Sequence, residues 1–505
     1  MRALKQGSLL SILILLLAAS GCAGNDQITN RASGETVKGD QPTITIIANL
    51  HTAIIPSDRI EKMLEEETGV KLDIQWIPDG SYEEKVNAAF ATETLPQAVF
   101  LKNGASFIMF RSAIRNGQFW EIGSLLEQYP NLKRLKSEVL ANTSVDGKIY
   151  GLYQERPLSR QGIIYRKDWA ERLGLPAPAT IDELYTMIER FTNGDPDGNG
   201  QQDTIGLADR NDLVYGAFKT VSSYFGTPNN WGEQNGQLLP EFMTSEYRET
   251  MKFFRRLHQE GLMNADFPVT GKVDQQELFI QGKAGVYIGA MGDVVSLHAK
   301  LTKENAEAQL DVQNRIRGDK GFGVWSTPGY GSVVLFPKSA IATEDQLKEV
   351  LAFFDHLMEP KLANLIYWGI EGEHYRLADG KVIPTDDYER MTDEARPYLG
   401  LQIGGVSTIP GMLEAGFSLP VRAKAEQLVI DNDNILIHDK AASLESVTYN
   451  EKGDRLQTII RDATYNFIIG ESDEAMFEEE VERWKNEGGT QMIEEFTEAY
   501  RQKQK

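Results

Sequence analysis

Residues 195–203 read Asp-Pro-Asp-Gly-Asn-Gly-Gln-Gln-Asp, and their spacing carries the most defined chemistry in the chain. Asp195, Asp197, Asn199, Gln201 and Asp203 alternate, so a curled backbone converges their oxygens on one ion. Ca²⁺ is a hard cation that takes oxygen ligands, and this order matches the first, third, fifth, sixth, seventh and ninth positions of a calcium loop. Gly200 stands where that loop turns sharply, Gln201 would offer its backbone carbonyl, and Asp203 would bind directly or through water. Carboxylates held this close repel one another unless a cation compensates them. The segment departs from an EF-hand at its twelfth position, where Gly206 replaces the bidentate Glu. The expectation is a structural Ca²⁺; the alternative is a solvated Asp/Asn/Gly turn. Asp431-Asn432-Asp433-Asn434 lacks the glycine and reads as a solvated loop.

Catalytic chemistry is poorly supported. There is no GxSxG elbow, HExxH pair or Walker loop. Glu371 and Glu373 could be cast as a glycosidase pair, but nothing else marks them in a chain with 74 acidic residues. The expectation is a protein that is not an enzyme, with a secreted carbohydrate-active enzyme as the remote rival.

Cys22 is the single cysteine, so no disulfide can form within the chain. Arg2 and Lys5 give a positive start, residues 9–19 are apolar, and Ala19, Ser20 and Gly21 precede Cys22. The apolar run is too short to span a bilayer as a helix, which takes ~20 residues, and it reads as a secretory signal. Small residues before a cysteine resemble the lipobox of bacterial lipoproteins, with Ala19 where a larger aliphatic residue is usual. The expectation is a signal peptide over 1–21 and a diacylglycerol lipid on Cys22. A polar tether over 22–42 would then hold the protein to the extracellular face of the cell membrane. One acyl chain anchors marginally and two anchor stably.

The formal charge is −22, falling to −24 without Arg2 and Lys5. Such a surface argues against nucleic acid and anionic lipid as partners. It also disfavours a strongly acidic sugar unless a local basic cleft overrides the total. The 505 residues, 41% of them apolar, suffice for more than one core.

The elements that position these residues alternate. Short apolar runs at 43–48, 71–77 and 98–101 read as strands, and 60–68 and 82–93 as helices between them. This order predicts an α/β fold with a parallel sheet. Further on, 150–153, 162–165 and 284–289 read as strands, and 167–173, 184–191, 245–260, 346–358, 360–368 and 470–503 as helical. Thr180-Ile181-Asp182-Glu183 has the form of a capping box.

In order along the chain come residues 165–169 (YRKDW), 173–176 (LGLP), 180–184 (TIDEL), the DPDGNG loop, 225–231 (FGTPNNW), 260–263 (EGLM), 282–285 (GKAG) and 368–375 (WGIEGEHY). This set resembles extracellular solute-binding proteins of the carbohydrate ABC importer class, specifically large LipO-like lipoproteins, over nearly all of 43–505. The resemblance implies a two-lobe, type II binding-protein fold with a hinge and an interlobe ligand cleft. By analogy with maltose-binding proteins, lobe one would hold 43–152 and 291–344, and lobe two 153–290 and 345–505. It further implies a monomer that hands an oligosaccharide to permease subunits and their ATPase.

Ligands of open α/β sheets bind beyond the carboxyl ends of strands, which selects Asn49, His51, Asn103, Tyr153 and Arg156. Position in the family adds Phe225, Trp231, Trp368, Glu371, Tyr375 and Arg376. Aromatic rings can cover the C–H faces of sugars while polar groups bond their rims. Aromatics in large domains also fill cores, the place expected for Trp120 and Trp169. The same cleft could serve peptides or a sensor role.

Overall fold

β-Branched and apolar residues open the fold in β1 (Thr43–Leu50), and α1 (Arg59–Thr68) follows with Ile60 and Leu64 buried. Gly69, in the left-handed region, stops that helix and donates its N–H to the Glu65 carbonyl. β2 (Lys71–Pro78), α2 (Tyr82–Ala91), β3 (Ala98–Leu101), α3 (Gly104–Arg115), α4 (Ser137–Asn142) and β4 (Gly151–Glu155) complete the first run. A second run holds β5 (Gln161–Arg166), α5 (Ile181–Asn193), β6 (Ile205–Ala208), α6 (Ala217–Phe225), α7 (Ser245–Gln259), β7 (Ala284–Ala290) and β8 (Leu310–Gln313). The chain then forms β9 (Tyr330–Leu335), α8 (Glu344–Leu357), α9 (Pro360–Trp368), α10 (Pro420–Asn432), α11 (Val447–Ile469), α12 (Glu474–Trp484) and α13 (Thr490–Lys503). The computed structural model describes residues 41–52, 54–385 and 390–504. The expected signal peptide, Cys22 and residues 23–40 of the tether lie outside the described residues.

Two sheets organise residues 42–505. The five-stranded sheet has the order β2-β1-β3-β9-β4. β1 is parallel to β2 and β3, as strand–helix alternation predicts, but β9 runs antiparallel to both β3 and β4. That strand arrives from the second sheet and not through a crossover helix, which is why its direction reverses. The second sheet is β8-β5-β7-β6, with β5 antiparallel to β7 and β8 and β7 parallel to β6. Each sheet has its own core. Ile44, Phe100 and Val334 lie in one, and Ile163, Trp169, Phe191 and Val286 in another. The Trp169 and Phe191 rings meet edge-on at 5.5 Å, so Trp169 is core as expected.

The expected division into lobes needs two corrections. Residues 294–313 pack with the second sheet, because β8 pairs with β5 and Val294, Leu297 and Leu301 cluster with Ile164 and Tyr287. Residues 344–412 pack on the first sheet. Leu347, Leu351 and Phe354 of α8, Leu362 of α9 and Tyr398 cover the face that carries Ile44 and Phe100. Asp355 fixes this docking by accepting from the Asn131 and Leu132 amides at 2.7 and 2.8 Å. Lobe one is thus built on 43–155 with 330–412, and lobe two on 161–313 with 420–503. Segments near 156–160, 326–329 and 413–419 cross between them. The crossovers touch: Thr327 donates to Leu158 and Arg156 to Gly329.

Smaller differences have local causes. Thr180 accepts from the Glu183 amide at 3.2 Å, but Glu183 reaches back to the amide of Ala179, one residue beyond the capping box. The helical tail breaks between α12 and α13, where Gly488 takes φ 143°, a value that side chains rarely permit. Asp431 and Asn432 are not a solvated loop. They end α10, Asp431 pairs bidentately with Arg315 at 2.7 Å, and buried Asn432 donates to the carbonyls of Ser159 and Gln161.

Candidate functional site

The carboxyl ends of β1, β3 and β4 face one side of lobe one, and the ends of β6, β7 and β8 one side of lobe two. Between them lies a cavity of about 730 Å³. Lobe one contributes the start of α3 (Gly104, Ile108, Arg111) and Asn142. Lobe two contributes the loop after β6 (Asn211 to Val214), Lys219 of α6, Trp231, Glu241, Asp439 and Tyr449. Tyr330 stands where a crossover enters β9. This size and mixture of rings with converging polar groups suit a small organic ligand.

The polar groups are held in place. The Lys219 side chain is 6% exposed and pairs with Glu241 at 3.1 Å. Its ammonium also donates to Asn230 Oδ1, and Asn230 Nδ2 donates to Asp439 Oδ2 at 2.9 Å. Burial pushes the Asp439 carboxyl up to about 6, against the lowering effect of the Asn230 bond. Glu445, just before α11, bridges the lobes: Arg111 reaches it at 2.9 Å and Arg115 at 2.6 Å.

Of the ligand residues expected from sequence, Trp231 lines this cavity, its ring 4.7 Å from Phe496. Asn49 and His51 do lie at the end of β1. Asn49 Nδ2 donates to Asp79 Oδ1 at 2.8 Å, and the buried Asn49 Oδ1 has no partner among the described residues. Lys102, at 2.8 Å, and Asn49 hold Asp79 below the ordinary carboxylate range. Asn103 is spent as the N-cap of α3, accepting from Ser106 at 3.0 Å. Tyr153 is core: its hydroxyl accepts from the Lys136 amide at 2.7 Å. Arg156 is exposed on a crossover. Phe225 packs edge-on against Phe253 at 5.8 Å, away from the cavity. Trp368 anchors the end of α9 by donating to the Leu413 carbonyl at 3.0 Å. Glu371, Tyr375 and Arg376 form a turn and strand start, with Gly372 donating to the Tyr375 carbonyl at 2.7 Å; Tyr375 is buried and the other two are exposed.

Sequence reasoning missed Arg111, Lys219, Asn230, Glu241, Asp439 and Tyr449. One signal was present: Lys219 interrupts the apolar run Ala217-Phe218-Lys219-Thr220-Val221, and a buried lysine needs a partner.

The 195–203 loop joins α5 to β6 and is curled. Asp195, Gly198 and Gly200 all have positive φ. Asn199 Nδ2 sits 2.8 Å from Asp197 Oδ2 and 3.2 Å from Asp203 Oδ1, and Gly200 N–H donates to Asp195. As placed, no three His, Cys, Asp or Glu among the described residues are grouped closely enough to hold an ion. The donor set nevertheless fits Ca²⁺: it is all oxygen, and the Asn199 amide balances by hydrogen bonds the carboxylates that a cation would balance by coordination. Among the described residues, no helix is long and apolar enough to cross a membrane.

Comparison with known proteins places the chain. Residues 55–362 match the family model described as bacterial extracellular solute-binding protein. The chain is 42% identical over 500 residues to the polygalacturonan/rhamnogalacturonan-binding protein YtcQ of Bacillus subtilis, covering 98% of each. It is 31% identical over 514 residues to lipoprotein LipO of the same organism, covering 97% of each. Among solved structures, it resembles an HMO binding ABC-transporter associated solute binding protein of Bifidobacterium longum infantis. That match has a TM-score of 0.71 at 16% identity, over 91% of this chain and 98% of the other. The FusA EF-hand mutant of Streptococcus pneumoniae, in complex with fructo-nystose, aligns at a TM-score of 0.63 and 20% identity, over 92% and 99%. With two sheets meeting at a lined cleft and this match along its length, the chain belongs to the bacterial extracellular solute-binding protein family.

Proposed function

We propose that this protein is the extracellular binding subunit of an ABC importer and captures an oligosaccharide between its two lobes. The observation that carries the reading is the interlobe cavity of about 730 Å³, which offers Trp231, Tyr330 and Tyr449 beside Arg111, Asn142, Asn230 and Asp439. Rings suit the apolar faces of pyranoses, and the polar groups suit their hydroxyl rims. YtcQ, by its name, binds polygalacturonan and rhamnogalacturonan, so fragments of those polymers are the first cargo to test.

Binding here requires orientation and exclusion of water, with no bond made or broken in the sugar. Arg111 on lobe one and Lys219 on lobe two would each exchange part of a carboxylate pairing for a sugar oxygen as the lobes meet. Permease subunits and an ATPase would receive the ligand. Cys22 would carry the diacylglycerol anchor on the outer face of the membrane, in keeping with the LipO relationship. Asp195, Asp197, Asn199, Asp203 and the Gln201 carbonyl would hold a structural Ca²⁺, whose chemistry is charge neutralisation of the loop. The solved FusA form bearing an EF-hand mutation supports looking for it.

The test is a thermal-shift panel on residues 23–505 with calcium, using oligogalacturonates, fructo-oligosaccharides and peptides. A ligand at 100 times its dissociation constant adds about 2.7 kcal/mol of stability. A shift with saccharides is expected. A shift with peptides alone would replace the cargo, and consumption of the ligand would replace binding by catalysis.

A further inference from the structure

A second cavity, of about 310 Å³, adjoins the first on the side of the crossovers, against Leu158, Ser326, Thr327 and Pro328. The two share Asn142, Asn230, Pro328, Asp439 and Ala442. Asn230 and Asp439 therefore stand on the boundary between them. Asn230 sits at φ 55°, a conformation that asparagine tolerates better than most residues. It is clamped from three sides: its amide N–H donates to Glu241 at 3.1 Å, its side-chain oxygen accepts from Lys219, and its side-chain nitrogen donates to Asp439 at 2.9 Å.

The two chambers differ in charge. In the larger one the cations are spent on carboxylates, Lys219 on Glu241, Arg111 on Glu445 and Arg461 on Asp462, and Asp212, Asp439 and Asp454 stand there as well. That wall suits neutral hydroxyls. The smaller chamber is lined by His438, Lys440 and Lys503 against Glu138 and the shared Asp439. Lys503 Nζ is held 2.6 Å from the Ser443 hydroxyl, and Lys440 Nζ lies 5.9 Å from the centre of the Tyr500 ring. Neither ammonium has a carboxylate partner among the described residues, so both can accept an anion from outside.

We infer that the smaller chamber is a second subsite on one ligand path, and that it receives a carboxylate-bearing sugar residue while neutral residues fill the larger cavity. Its volume lies at the low end of small-ligand sites, roughly 300–1,000 Å³, which fits one sugar residue rather than a chain. The subsite rests on the oligosaccharide reading above. It shows how a protein of charge −22 can admit an acidic sugar: the repulsion is a property of the whole surface, and the compensation is local.

The test is calorimetric titration of residues 23–505, with calcium, using galacturonate oligomers of two to six residues and the same oligomers with carboxyls reduced to alcohols. The wild type is expected to favour the uronate form about tenfold, from the trimer upward. The double variant Lys440→Gln/Lys503→Gln should abolish that preference and keep the affinity for the reduced form. Ser443→Trp, which fills the smaller chamber alone, should bring longer oligomers down to the affinity of the shortest. A double variant that keeps the full preference, or that loses both forms equally, would overturn the subsite. So would a wild type that binds both forms alike. A wild type that binds neither form nor any other saccharide would overturn the oligosaccharide reading itself.

Discussion

Lys219, Asn230 and Asp439 show why single residues are hard to read from sequence. Their importance comes from meeting one another, and 220 positions separate the first from the last. Asn103 and Tyr153 show the converse. Asn103 follows the end of β3 and Tyr153 lies in the middle of β4, and backbone N–H groups claim both, because a buried unpaired N–H is costly. Trp231, expected from the resemblance that residues 225–231 carry, lines the cavity. Tyr449 lines the cavity while 47% exposed, so its removal tests contact without emptying the core. Tyr449→Ala should weaken saccharide binding about tenfold, ~1.4 kcal/mol, with the melting midpoint nearly unchanged; equal affinity would remove this ring from the ligand. Asp209 tests electrostatics at the same scale. Burial pushes its carboxyl from the ordinary 3.8 up to about 7, against the Ala217 and Arg210 amides that hydrogen-bond to it. Between those values the folded chain keeps a proton that the unfolded chain has released. The stabilisation is therefore full below 3.8 and disappears as pH rises through about 7. Asp209→Asn, whose side-chain oxygen can still accept from Ala217, should flatten the fall in melting midpoint from about pH 5 to about pH 8. An unchanged slope would contradict this.

At the scale of elements, the sequence was most legible where local chemistry decides. Gly69 ends α1, Thr180 caps α5, and the early strands appear close to where their apolar runs place them. It was least legible where distant partners decide. The antiparallel entry of β9 and the docking of α8 on lobe one depend on contacts such as Phe100 with Phe354, which periodicity cannot show. The 195–203 loop belongs to this scale because it sets how α5 leads into β6. Chelation should lower the melting midpoint and Ca²⁺ should restore it, and Asp197→Ala/Asp203→Ala should remove that response. A wild-type midpoint indifferent to calcium would leave the loop to its internal hydrogen bonds.

For the whole molecule, separate cores on two sheets and crossovers at the cleft make relative lobe movement the natural response to a ligand. Glu445 joins α3 of lobe one to the start of α11 in lobe two through Arg111 and Arg115. Glu445→Ala should therefore speed ligand dissociation about fivefold, ~1 kcal/mol for a partly exposed pair, and change association much less; an unaltered dissociation rate would detach this pair from closure. The central claim is that a saccharide is held between the lobes and released intact. Calorimetric titration of residues 23–505 with galacturonate oligomers, followed by mass analysis of the recovered sugar, tests it most directly. Saturable binding of one oligomer per chain and recovery at unchanged length are expected. Absence of binding by every saccharide tried, or recovery of shortened oligomers, would contradict it.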